Sequence, residues 1–159
     1  MFRIVPAPLH RAALRIAHKV RHHWRVRTGR RIEGTSAILR DHENRLLLVR
    51  HSYGPKVWAL PGGGIKSGED AESSIRREVR EEISCDILGL RLVGTFEEEI
   101  SGSPHTAHLF TGVVDEMPRA DLRELTEARF FPVSSLPEPL GTLTRSRLEY
   151  WRAKMQDKS

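Results

Sequence analysis

A chain of 159 residues suits one compact domain, and 38% hydrophobic with 30% charged residues is the balance of an ordinary globular protein, neither disordered nor fibrous. No apolar run approaches the ~18 residues that a membrane span needs, and the first residues lack the apolar core and cleavage site of a secretory signal. Cys85 is the single cysteine, which excludes an intramolecular disulfide and a cysteine zinc cluster and makes the cytoplasm the expected compartment.

The net charge of +5 is unevenly spread: residues 1–31 hold nine Arg or Lys and no acid, leaving 17 basic against 21 acidic residues in the rest. Basic character therefore belongs to an N-terminal arm, and a high isoelectric point does not make the body a nucleic-acid binder. In that arm Ala13, Ile16, Val20 and Trp24 recur at helical spacing between Arg11, Arg15, Lys19 and Arg21, which predicts a basic amphipathic helix.

Strands are predicted over 32–39 and 45–49, joined by the polar turn Asp41-His42-Glu43-Asn44. A loop over 51–56 and a short apolar stretch over 57–60 run into Pro61-Gly62-Gly63-Gly64, read as a loop. A helix is expected from about Glu69 to Ile83, with Ile75, Val79 and Ile83 on its buried stripe. Strands at 87–100 and 105–114 flank a turn over 101–104, a further short strand covers 129–133, and a helix over 142–154 follows. Strands in the centre with helices between and after them suggest a mixed sheet sandwiched by helices, an α/β class.

Glu78, Glu81 and Glu82 stand at i, i+3 and i+4, a spacing that projects three carboxylates from one helical surface, expected opposite Ile75 and Val79. Three neighbouring anions repel, and carboxylate oxygens are the hard ligands that Mg²⁺ or Mn²⁺ prefers. The glycines ahead of the helix permit sharp turns and close approach of backbone to a ligand. Each feature alone is commonplace. Together Gly63, Glu69, Arg77, Glu78, Glu81 and Glu82 form the spaced pattern G-x5-E-x7-R-E-x2-E-E.

The segment GGGIKSGEDAESSIRREVREEISC resembles the signature box of the Nudix hydrolases, with Val79 at its apolar position. RLLLVRHSY, VWALPGG and EARFFPVSSLP resemble further segments of the small, MutT-like members, so that the likeness runs over roughly residues 32–150. It implies a Nudix-type α/β/α sandwich with a mixed central sheet over residues 32–159, preceded by the helical arm of residues 1–31. It also implies an Mg²⁺- or Mn²⁺-dependent pyrophosphohydrolase, in which water attacks phosphorus in a nucleoside triphosphate or a nucleoside diphosphate-linked substrate. Glu78, Glu81 and Glu82 would be both metal ligands and the catalytic set, with the Gly63 carbonyl as another ligand and Glu124 as a candidate for an extra one. Glu69 and Arg77 would support the loop and helix as an ion pair. The family usually ends the box helix on glycine; Ser84 stands there instead, where a left-handed conformation costs a non-glycine residue ~1–2 kcal/mol.

The general base stays open between Glu78, the strand residues Glu97, Glu98 and Glu99, and Glu124 or Glu127, which are assigned to a loop before Phe130. Arg50, Tyr53 and Lys56 are candidate substrate contacts, each with an ordinary surface or packing role as the alternative. Arg129 is read in the same way, Trp58 as core, and His105 and His108 as lacking partners for zinc. Substrate markers downstream of the box are missing: Ser101 stands where some relatives carry a proline, and no tyrosine lies near. The partner expected is a nucleotide-type small molecule, without specific nucleic-acid binding, and the protein is expected as a monomer or homodimer. The arm is expected to pack on the domain or on a second subunit, with weak anionic membrane contact as the alternative. Rival functions are a catalytically silent nucleotide-binding module and a Nudix protein held at a membrane by its arm.

Overall fold

The computed structural model describes Ala13 and residues 32–100 and 102–157, so the predicted helical arm lies outside the described residues apart from Ala13. Strands β1 (Ile32–Arg40), β2 (Leu46–His51) and β3 (Gly62–Gly64) come first, followed by helix α1 (Ala71–Ile83). Strands β4 (Leu88–Ile100), β5 (Ser103–Val113) and β6 (Leu125–Phe131) precede helix α2 (Thr142–Gln156). The sheet order is β4-β5-β1-β2-β6, with β3 paired to β1. The β1–β5 pair is parallel and the others antiparallel, so the sheet is mixed.

Alternation along the central strands sends neighbouring side chains to opposite faces. Ala37, Leu39, Leu47 and Val49 pack with Ile75, Val79 and Ile83 of α1. Ile38, Leu46 and Leu48 pack with Leu148 and Trp151 of α2. Both faces of β1 and β2 are covered, which is why their sequences read as near-continuous apolar runs. The result is the expected α/β/α sandwich.

Four local readings need correction. Gly62–Gly64 is a strand rather than a loop, pairing Gly34 with Gly64, Thr35 with Gly63 and Ser36 with Gly62; with no side chains, its signal was carried only by long-range backbone bonds. Gly62 has φ +149°, and a Cβ there would stand 2.1 Å from the Thr35 carbonyl oxygen. The sixth strand begins at Leu125, so Glu127 lies on it opposite Arg50 and not in a loop. β5 begins at Ser103, paired with Ile100, which shortens the turn predicted over 101–104. Finally, Glu82 joins Ile75, Val79 and Ile83 among the buried residues of α1. At ~100° per residue, the three glutamates occupy an arc beside the apolar stripe rather than opposite it.

Candidate active site around the box helix

Asp70 caps α1 by accepting the Ser73 N–H at 2.8 Å, which starts the helix two residues later than the sequence suggested. At the other end Ser84 is left-handed, φ 57° and ψ 37°, with its N–H bonded to the Arg80 carbonyl, so the serine adopts the conformation that favours glycine.

Arg77 organises the acidic face. Its Nε and Nη2 donate to the two Glu69 oxygens at 2.7 and 2.9 Å, the expected ion pair in bidentate form. Nη1 reaches Glu78 at 2.8 Å and Glu81 at 3.1 Å, and Nη2 also donates to the Gly64 carbonyl at 3.2 Å. The Arg77 guanidinium, together with the Lys66 N–H, holds the Glu69 carboxyl down at about 2.

The Glu78 carboxylate lies flat against Gly63: a Cβ on that glycine would fall 2.6–2.7 Å from its Cδ and both oxygens. Glu82 is 4% exposed and accepts the Gly62 N–H at 3.2 Å. Burial pushes its carboxyl well above the ordinary range; Glu78, Glu124 and Asp121 push the same way, opposed by the Gly62 N–H. Two backbone bonds bring the distant acids in, Arg119 N–H to the Ile83 carbonyl at 2.9 Å and Asp121 N–H to the Glu82 carbonyl at 3.0 Å. Asp121 escaped the sequence reading because nothing local to it marks a site. Its carboxylate accepts the Glu124 and Leu125 N–H groups and so fixes the turn that carries Glu124.

Glu81 is the outlying member, its side chain 57% exposed. Among the described residues no three acidic, histidine or cysteine side chains yet stand close enough to hold a metal ion between them. Arg77 engages Glu78 and Glu81, and Glu82 turns to the Gly62 amide.

The candidate substrate contacts have local partners. Arg50 pairs with Glu127 at 3.0 Å and lies over the Trp58 ring, which is buried against Phe131 as expected of a core residue. Lys56 donates to the Ser52 carbonyl at 3.1 Å, and Tyr53 sits against His51 with ring centroids 5.4 Å apart. Their loop abuts the acidic site through Ser52, whose N–H donates to the Glu124 carbonyl at 2.8 Å. Arg129 lies exposed on β6 beside Glu127. Cys85 is buried, and burial pushes its thiol up to about 11, which removes it as a nucleophile.

On the α2 side of β3 opens a cleft of about 300 Å³. Leu60, Ala107 and Leu143 supply apolar wall, Gly62 and Gly63 form one margin, and Glu98, His105 and Arg147 are its charged and polar lining. Glu98 thus stands apart from its neighbour Glu97, which faces the opposite side of β4 and accepts the Thr106 hydroxyl. His105 Nδ1 lies 3.2 Å from the Glu98 carboxylate.

A short glycine strand, a helix whose buried glutamate is surrounded by further acids, and an adjoining cleft thus lie side by side. The NUDIX domain model matches residues 30–151, and the chain belongs to the Nudix family. It is 30% identical over 111 residues to an NAD-capped RNA hydrolase of Vibrio atlanticus, an alignment covering 68% of this chain but only 41% of that protein's length. It is 28% identical over 139 residues to an RNA pyrophosphohydrolase of Saccharophagus degradans, covering 77% and 82% of the two chains. The crystal structure of a MutT Nudix hydrolase from Burkholderia pseudomallei superposes with a TM-score of 0.69 at 24% identity, over 76% of this chain and 98% of that one. That likeness is one of fold. No described helix is long and apolar enough to cross a membrane.

Proposed function

We infer that the protein is a metal-dependent pyrophosphohydrolase that cleaves a phosphoanhydride bond in a nucleoside triphosphate or nucleoside diphosphate-linked substrate by water attack on phosphorus. The observation that carries this is Glu82: a buried carboxylate in the field of Glu78, Glu124 and Asp121, beside a backbone strand of glycines. Such a group is stabilised as an anion only when a cation joins it.

The donor set fits Mg²⁺ or Mn²⁺ in kind, being all hard oxygen. Glu78, Glu82 and the Gly63 carbonyl would hold the ion, with Glu81 and Glu124 adding ligands from either side. When bound, the ion would neutralise diphosphate charge and make water a better nucleophile. This chain's own residues do the rest. Arg77 orients Glu78, Gly63 lets its carboxylate lie against the backbone, and the cleft beside them takes the organic part of the substrate and excludes water. Arg50 of β2, and Tyr53 and Lys56 on the loop that follows it, would meet phosphate or base at the outer edge. The expected setting is cytoplasmic, as a monomer or homodimer.

The test is product release from a panel of nucleoside triphosphates, nucleotide sugars, ADP-ribose and dinucleoside polyphosphates, with and without Mg²⁺ or Mn²⁺. Metal-dependent turnover that falls by at least about a hundredfold in Glu82→Gln, and less in the exposed Glu81→Gln, is the expected result. Nucleotide binding without turnover by the wild type would instead make the domain a silent binding module.

A further inference from the structure

The acids of the box are all engaged by neighbours in the structure, Glu78 and Glu81 by Arg77 and Glu82 by the Gly62 N–H. A different acceptor faces the cleft. Arg147 of α2, its side chain 8% exposed, holds Glu98 at 2.5 Å, and its guanidinium lies 3.9 Å from the centroid of Phe96. The other Glu98 oxygen meets His105 Nδ1 at 3.2 Å. A carboxylate accepts, so Nδ1 carries the hydrogen and Nε2 of the neutral ring presents its lone pair.

The His105 ring packs against Gly34 and lines the same cleft as Gly63. The point where a Cβ of Gly34 would stand lies 2.9 Å from His105 Nε2 and 3.5 Å from the Gly63 carbonyl oxygen. The imidazole nitrogen and that carbonyl therefore both crowd the same side of Gly34, where only a residue without a side chain fits. They can be no farther apart than the sum of the two distances. Behind Gly63 lies the carboxylate of Glu78.

We propose that His105 is the general base of the reaction, with Glu98 and Arg147 as positioning residues; this rests on the hydrolase reading above. A lone pair of the water oxygen forms the new bond to phosphorus while its O–H proton passes to Nε2. The bond from phosphorus to the bridging oxygen breaks, and that oxygen leaves with the bonding pair as the anionic product. The proton on Nε2 then passes to the leaving oxygen or to solvent, restoring the neutral ring. Glu98 steadies the transient imidazolium from Nδ1, and Arg147 keeps Glu98 from swinging away.

Two measurements decide it. In ¹⁵N NMR of the wild type, without substrate, His105 should show an unprotonated Nε2 and a protonated Nδ1, with Glu98→Gln shifting the balance between tautomers. On the substrate found by the panel, His105→Ala and His105→Asn should lower kcat about a hundredfold or more, with KM within about threefold, and added imidazole should restore part of kcat in His105→Ala. A protonated Nε2 in the neutral wild-type ring overturns the proposal. So does unchanged kcat in folded variants, or a defect confined to KM. Each of these outcomes leaves the hydrolase reading standing, whereas absence of turnover by the wild type defeats that reading first.

Discussion

Replacing Ser84 by glycine isolates one strained backbone position from everything else at the site. Ser84 ends α1 at φ 57°, a region that costs a residue with a Cβ ~1–2 kcal/mol. Its side chain is exposed, and its recorded cap bond is made by the backbone N–H, which glycine keeps. Against the relieved strain stands the extra freedom that glycine gives the unfolded chain, ~0.5–1 kcal/mol. The net expectation is a gain of about 0.5–1 kcal/mol, and at ~2–4 °C per kcal/mol for a chain of this size a melting temperature higher by about 1–4 °C. Thermal denaturation followed by circular dichroism, with kcat/KM measured on the same preparations, is the assay. A fall of more than about 2 °C would show that the serine side chain makes a stabilising contact the reasoning denies it. A change in kcat/KM beyond about threefold would show that the helix end is coupled to the chemistry.

Glu69 gives a pH prediction. Its folded value of about 2 lies below the ordinary 4.5, so its contribution is present above the ordinary value and is lost as pH falls towards 2. In melts from pH 6 to 2, Glu69→Gln should be less stable than wild type at the upper end, with the gap closing through that window; a gap of constant size would refute the ion pair as its source. Gly63→Ala places a methyl within 2.7 Å of every atom of the Glu78 carboxylate. It should cost at least about tenfold in kcat by moving that group, and an alanine variant with wild-type kinetics would show that Glu78 need not lie against the backbone.

The sequence by itself determined the elements governed by spacing within one segment. The helix over the box and the apolar stripe through Ile75, Val79 and Ile83 follow from 3.6-residue periodicity, whereas the Glu69–Arg77 pair and the question of a left-handed Ser84 came from the likeness to the box. Family membership was legible for the same reason, because the box is one contiguous stretch. Only the tertiary structure decided which partners arrive from elsewhere. Glycines 62–64 have no side chains to announce a strand, and their pairing with β1 depends on a register between segments nearly 30 residues apart. Glu82 counted as one of three surface glutamates until the 119–124 turn closed over the end of α1 and brought Asp121 and Glu124 into its field. His105, Glu98 and Arg147 come from two strands and a helix. No pattern in the chain links them, because what joins them is the face of the sheet on which strand alternation leaves each side chain and the packing of α2 across it.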